Sequence, residues 1–191
     1  MSAFEFLDDM TVYTNLPGTL DTILPKWQEW SQICVNTVHG QENNHQYGVG
    51  SLFYDWANAT TINGEHVVPP RKNPPTEADF THVCDIWRGT VIEAMYASIT
   101  DRYVVGRVRI MTSKPKTCLS WHQDGTKRLH YPIKTQAGCM MIIDDEVMHL
   151  PANRWCLTDT LRYHTAVNSS MEPRVHLVAC IFSEHSSVRG C

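Results

Sequence analysis

The chain has 191 residues, 42% of them hydrophobic, and a formal net charge of −4 from 16 basic and 20 acidic side chains. That length suffices for one substantial core, and no shift in composition marks a second one, so residues 1–191 are read as a single domain. The scattered Lys and Arg form no basic stripe to follow a phosphate backbone, and neither a secretory leader nor a long apolar span is present, which sets aside nucleic acid and membrane as main partners and points to the cytoplasm.

Seven cysteines (34, 84, 118, 139, 156, 180 and 191) contain no C-x-x-C pair, which excludes a zinc knuckle or a thioredoxin-like motif and suggests mostly buried thiols. The sequons at Asn58 and Asn168 are short enough to arise by chance.

In chain order, residues 1–100 read as a helical and loop-rich support region. After the turn signal Leu16-Pro17-Gly18, apolar residues at helical spacing (Ile23, Leu24, Trp27, Trp30, Ile33, Cys34) predict a helix from about Lys26. Residues 39–75, rich in Gly, Asn, His and Pro, predict a long loop that serves as connector, lid or substrate wall. Thr76 and Asp79 resemble a helix start, and Phe80, Val83, Cys84, Trp87, Val91, Met95 and Ile99 recur at intervals of three and four, predicting one long helix whose aromatic stripe packs on a sheet. From Tyr103 the pattern changes to short β-branched and alternating runs: Tyr103–Met111, Thr117–His122, Arg128–Ile133, Cys139–Ile143, Glu146–Leu150, Tyr163–Val167 and Arg174–Phe182. Many short strands without β-α alternation predict a mainly β fold with flanking helices, a sandwich or jelly-roll barrel whose core spans residues 101–185.

Within that half, an extended Trp121-His122-Gln123-Asp124 would point His122 and Asp124 to one face. His164, in another short strand, is the best candidate for a second imidazole. Two imidazoles and one carboxylate on one side of an ion leave positions open, an arrangement suited to non-haem Fe(II) and O2 chemistry and also compatible with zinc or manganese. By itself an H-x-D is unspecific in a chain with ten histidines. Arg174 adds to it: the residue opens the last long strand ten positions after His164 and would point inward, where a guanidinium is costly unless it meets an anion. Arg128 and His130 share one strand face just after the H-x-D, placed to meet the carboxylate end of a chelating ligand. His149, His176 and the other histidines are read as structural.

Between Pro115 and Phe182 the sequence resembles the aspartyl/asparaginyl β-hydroxylase family, which includes enzymes acting on free proline. The resemblance rests on His122, the R-x-H of Arg128 and His130 followed by Pro132, the segment Thr158-Asp159-Thr160-x-x-x-His164, Asn168 and Arg174. It implies a double-stranded β-helix in which His122, Asp124 and His164 bind Fe(II). It further implies that Arg174 holds the distal carboxylate of the cosubstrate 2-oxoglutarate, that Arg128 and His130 support its metal-bound end, and that O2 is the second cosubstrate. Some members lack the acidic ligand; Asp124 places this chain with those that have a complete triad. The hydroxyl partner of the distal carboxylate is left among Ser113, Thr117 and Ser120. The expected activity is hydroxylation of an amino-acid or peptide-like substrate. The rival readings are a cupin-like metal-binding barrel that does not use 2-oxoglutarate and a non-catalytic binding module.

Overall fold

The computed structural model describes residues 2–55 and 58–186. In chain order these form β1 (Phe4–Phe6), α1 (Leu16–Ile23), β2 (Gln32–Cys34), β3 (Asn36–Thr37), β4 (Thr60–Ile62), β5 (Glu65–Val67), β6 (His82–Val83) and α2 (Val91–Thr100). The second half adds β7 (Tyr103–Ser113), β8 (Thr117–Cys118), β9 (Lys127–Lys134), β10 (Cys139–Ile143), β11 (Glu146–Met148), β12 (Cys156–Thr158), β13 (His164–Asn168) and β14 (Arg174–Glu184). Two antiparallel sheets dominate, one in the order β1-β12-β9-β14-β7-β2 and the other in the order β11-β10-β13-β8. From β7 to β10 the chain switches sheet at every strand, and it does so again from β11 to β14, which makes the fold a double-stranded β-helix.

Alternation along the strands assigns the faces. On the large sheet Val108, Ile110, Leu129, Tyr131, Leu177 and Ala179 point one way and join Trp27, Trp87, Ile92, Met95 and Ile99 in the main core. Each fully buried aliphatic side chain there contributes about 1.5–3 kcal/mol. A smaller cluster containing Phe4, Cys156, Met141, Ile143 and Ala166 fills one end of the space between the two sheets.

Two expectations for the first half are corrected. The helix predicted from about Lys26 lies earlier, at Leu16–Ile23, with its proline in the first turn, where no N–H is needed. Pro25 disfavours a helical Leu24, which adopts φ −135° and ψ 82°, and after one 3-10 turn at Trp27–Glu29 the chain becomes β2 on the edge of the large sheet. The long helix predicted from Thr76 is also broken. The capping box of Thr76 and Asp79 closes only a 3-10 turn, and Gly89 has a φ of +72°. Tertiary hydrogen bonds won over helical periodicity: Cys84 N donates to Val35 O at 3.0 Å and Trp87 Nε1 to Cys34 O at 2.8 Å. The helix starts only at Val91, where the Thr90 hydroxyl accepts from Ile92 N, and it buries Ile92, Met95, Tyr96 and Ile99.

Residues 39–75 are a long connection that contains the β4–β5 hairpin, which turns at Asn63-Gly64 with positive φ at both positions. The six described cysteines are free thiols, five buried and Cys118 exposed; Cys191 lies outside the described residues. Asn168 is buried and donates to the carbonyls of Ser113, Lys114 and Glu172. No described helix is long and apolar enough to cross a membrane.

Candidate metal centre

The residues that alternate with the core positions of the large sheet face the small sheet, and many of them are polar or charged. Arg107 and Arg109 of β7, Arg128 and His130 of β9, and Arg174 of β14 line a cavity of about 160 Å³ together with His122, Asp124 and His164. A larger cavity of about 770 Å³, bounded by the 39–75 connection and walled by amides such as Gln41, Asn44 and Gln46, holds no set of metal donors among its lining residues. The candidate metal donors His122, Asp124 and His164 line the smaller one.

His122 and His164 face each other as an isolated antiparallel pair, with His122 N donating to His164 O at 3.1 Å and His164 N to His122 O at 2.8 Å. Asp124 N is held by Thr160 O at 2.8 Å. Each imidazole donates its Nδ1–H to a carbonyl two residues back, His122 to Ser120 O at 2.7 Å and His164 to Arg162 O at 3.0 Å. A carbonyl can only accept, so both lone pairs lie on Nε2. One donor atom from each of His122, Asp124 and His164 falls within 4.8 Å of the others. Burial, joined by the neighbouring His122, holds the His164 pKa below its ordinary value, which favours the neutral ligand form. Two imidazoles whose Nδ1 positions are taken by carbonyls and one carboxylate, gathered from two separate chain segments, fit a divalent ion such as Fe(II).

Four arginines in one cavity require anions. Glu77 pairs with two of them, accepting from Arg107 Nη2 at 2.9 Å and from Arg128 Nη1 at 2.9 Å and Nη2 at 3.3 Å. Arg128 Nε also donates to Asp124 Oδ2 at 2.9 Å. Although burial pushes the Glu77 carboxyl upward, Arg128 and Arg107 hold its pKa down at about 2. Glu77 reaches the cavity because its 3-10 turn lies directly on β7 at Gly106, where a Cβ would come within 2.7 Å of Glu77 O.

Neither Arg109 nor Arg174 meets a carboxylate among the described residues. Arg109 Nη1 donates to Gln32 Oε1 at 2.7 Å, while its Nε has no partner. Burial, reinforced by Arg107, lowers its pKa to about 10. Arg174 is 7% exposed, its Nη1 lies 4.0 Å from Met141 Sδ, and its Nε has no hydrogen-bond partner among the described residues. Beside it, His130 Nδ1 and His176 Nδ1 lie 3.4 Å apart, and both Nε2 atoms are unpartnered. Burial, with Arg174 and Arg128 nearby, holds the His130 pKa at about 3, and burial with Arg174 keeps His176 well below the ordinary value, so both rings are neutral.

The structure thus brings His122, Asp124, His164, Arg128, His130 and Arg174 to one cavity. Of the three hydroxyl residues weighed beside Arg174, Ser113 is its cross-strand partner, Thr117 donates to Lys114 O and Ser120 offers its carbonyl to His122. Sequence reasoning missed Arg107, Arg109 and Glu77. The two arginines had a signal: alternation in Val105-Gly106-Arg107-Val108-Arg109-Ile110 turns both away from the apolar face, by the same logic that singled out Arg174. Glu77 had none, since its place depends on a contact with distant Gly106.

The sequence profile of the aspartyl/asparaginyl β-hydroxylase family matches residues 36–183. The chain belongs to the aspartyl/asparaginyl β-hydroxylase family. No curated protein matches it by sequence. Solved structures similar to this family member include an oxidoreductase of the 2OG-Fe(II) oxygenase family from Burkholderia pseudomallei, 11% identical over 50% of this chain and 54% of that one, with a TM-score of 0.38. A cupin domain from Bordetella pertussis is 15% identical over 43% of this chain and 83% of that one, with a TM-score of 0.35. A cupin superfamily protein from Desulfitobacterium hafniense is 9% identical, and the 39% of this chain that aligns spans 65% of that protein's length, with a TM-score of 0.35.

Proposed function

We propose that the protein is an Fe(II)- and 2-oxoglutarate-dependent dioxygenase that hydroxylates a C–H bond of an amino-acid or peptide-like substrate, with release of succinate and CO2. The observation that carries this reading is Arg174: a buried guanidinium without a carboxylate partner, on the same cavity wall system as the His122–Asp124–His164 set. Arg174 contacts Met141, whose cross-strand partner Ala166 lies two residues from His164 on β13. Two strand residues span roughly 6.7 Å, a distance that a five-carbon dicarboxylate bridges. Arg174 would hold the distal carboxylate of 2-oxoglutarate in a charge-assisted, fork-like contact, with Ser113 across the strand as the hydroxyl beside it.

The Nε2 atoms of His122 and His164 and the carboxylate of Asp124 would hold the iron, which when bound supplies the O2 activation that no side chain can provide. Arg128 anchors Asp124 and is itself neutralised by Glu77, so its role is to orient the acidic ligand. His130, neutral and deep in the cavity, has a free Nε2 to offer the cosubstrate.

The cavity charge supports the substrate class. Among the described residues lining the cavity, Arg107, Arg109, Arg128 and Arg174 face the carboxylates of Glu77 and Asp124 alone, an excess of two positive charges before any metal. Once Arg174 has taken the cosubstrate, Arg109 still lacks an anion. A substrate carboxylate satisfies it, as in an amino acid, an acidic side chain or a peptide terminus.

The test is anaerobic addition of 2-oxoglutarate to the Fe(II)-loaded protein, followed by air and a pool of amino acids and acidic peptides. A visible charge-transfer band, then succinate and a product heavier by one oxygen, is the expected result. An iron-loaded, folded sample that stays colourless with saturating 2-oxoglutarate would overturn the reading in favour of a cupin-like barrel with another ligand.

A further inference from the structure

Away from the cavity, His39, Glu42 and His82 bring one donor atom each to within 4.8 Å of one another. The three come from two segments joined by backbone hydrogen bonds. His82 lies in β6, opposite Thr37 of β3, and Thr81 N donates to Thr37 O at 3.1 Å. His39 and Glu42 stand in the turn that follows β3, and that turn is tied to the chain after β6 by Asp85 N, which donates to Glu42 O at 2.7 Å. The ligand backbones are therefore held together whether or not an ion is bound.

The side chains are also partly arranged. Gly40 N donates to Glu42 Oε1 at 3.0 Å, aiming the carboxylate back over its own turn, and His39 Nδ1 lies 3.5 Å from that oxygen. The His39 and His82 rings are 5.0 Å apart between centroids. His82 Nδ1 is 3.0 Å from the Thr81 hydroxyl, which leaves Nε2 as its second donor position. A tetrahedral ion with bonds of about 2.0–2.1 Å sets its ligand atoms roughly 3.4 Å apart, so the His39–Glu42 pair already has that spacing and His82 needs only a side-chain adjustment.

We propose that His39, Glu42 and His82 form a second, surface metal site that takes a borderline divalent ion of the zinc class. Two imidazoles and one carboxylate suit such an ion, and with His39 largely exposed the fourth position belongs to water. The role is structural. The ion clips the turn at residues 39–42 to β6, and that turn carries Gln41 on the wall of the large cavity, while β6 follows the 3-10 turn from which Glu77 enters the smaller one. Nothing in this proposal depends on the reading of the first centre.

The test uses the full chain with His122→Ala and His164→Ala to remove the first site, titrated with Zn²⁺ or Co²⁺ alone. About one equivalent of zinc should bind and raise the melting temperature, and cobalt should give the intense visible bands of a four-coordinate ion. Adding His82→Ala, or separately the milder Glu42→Gln, should abolish the melting shift and the cobalt spectrum while circular dichroism stays unchanged. No zinc binding by the double variant overturns the proposal. So does binding that survives both His82→Ala and Glu42→Gln.

Discussion

Asp124 Oδ2 accepts a hydrogen bond from Arg128 Nε at 2.9 Å and lies 3.6 Å from His164 Nε2, so one carboxylate oxygen is shared between a buried arginine and the proposed metal ligands. The arginine fixes where that oxygen points. Glu77 in turn fixes the arginine. Replacing Arg128 by Met keeps only the aliphatic stem of the side chain and removes its hydrogen bonds to Asp124 and Glu77. Loss of such an outer partner lowers metal affinity by about 10–100-fold. Competition against a chelator of known strength measures it, and wild-type affinity in Arg128→Met would remove Arg128 from the positioning role.

His122→Ala and His164→Ala should each abolish succinate formation with the fold intact, because the remaining ligands cannot hold iron against water and buffer. Asp124→Ala should be milder, since the two imidazoles keep their tautomer-setting carbonyls. Iron content and succinate yield are read together. Normal turnover and iron content in either histidine variant would show that residue not to be a ligand.

For Arg174→Ala, removing one partner of a buried charged pair costs about 3–5 kcal/mol, which weakens 2-oxoglutarate binding by roughly two to three and a half orders of magnitude. Iron affinity should barely change. Arg174→Lys should recover only part of the loss, because an ammonium cannot reproduce the planar fork. Anaerobic titration of 2-oxoglutarate into the iron-loaded variants separates these outcomes, and equal affinity in wild type and Arg174→Ala would make the residue purely structural.

Arg109→Gln should split the two ligands. With its guanidinium assigned to the substrate, the variant should raise KM for an acidic substrate by at least about tenfold, the loss of one charge-assisted contact, and leave 2-oxoglutarate affinity as it was. Uncoupled turnover of 2-oxoglutarate should persist. A parallel fall in 2-oxoglutarate affinity would instead place the cosubstrate against Arg109.

Glu77 makes stability depend on acid pH. Its carboxyl has an ordinary value of 4.5 and is held at about 2 in the fold, so the unfolded chain binds its proton first as pH falls. The stabilisation is therefore complete above about pH 4.5 and is lost as pH drops towards 2. Glu77→Gln should flatten this part of the pH profile and destabilise the protein by about 3 kcal/mol at neutral pH, leaving Arg107 and Arg128 with one carboxylate fewer. Urea unfolding of both proteins between pH 3 and about pH 7 provides the comparison.

The barrel was legible in the chain itself wherever a local period and the buried face agreed. Alternation in Arg128–Ile133, Cys139–Ile143 and Arg174–Phe182 marks strands that the structure contains, because one face must be apolar for the core whatever the neighbours are. Alternation also pairs His122 with Asp124 and Arg128 with His130 and turns Arg174 inward, whereas His164 is picked out by lying in another short strand. What tertiary structure alone decided lies where local and long-range preferences conflict. Phe80, Val83, Cys84 and Trp87 have helical spacing, yet hydrogen bonds to Val35 and Cys34 draw that stretch onto the sheet edge and confine the helix to Val91–Thr100. Residues 27–34 likewise become a turn and an edge strand because β7 offers an unpaired backbone there. Glu77 enters the cavity only because Gly106, twenty-nine positions later, has no side chain to keep its turn away. Such placements depend on which surfaces meet after folding, and no local periodicity encodes that meeting.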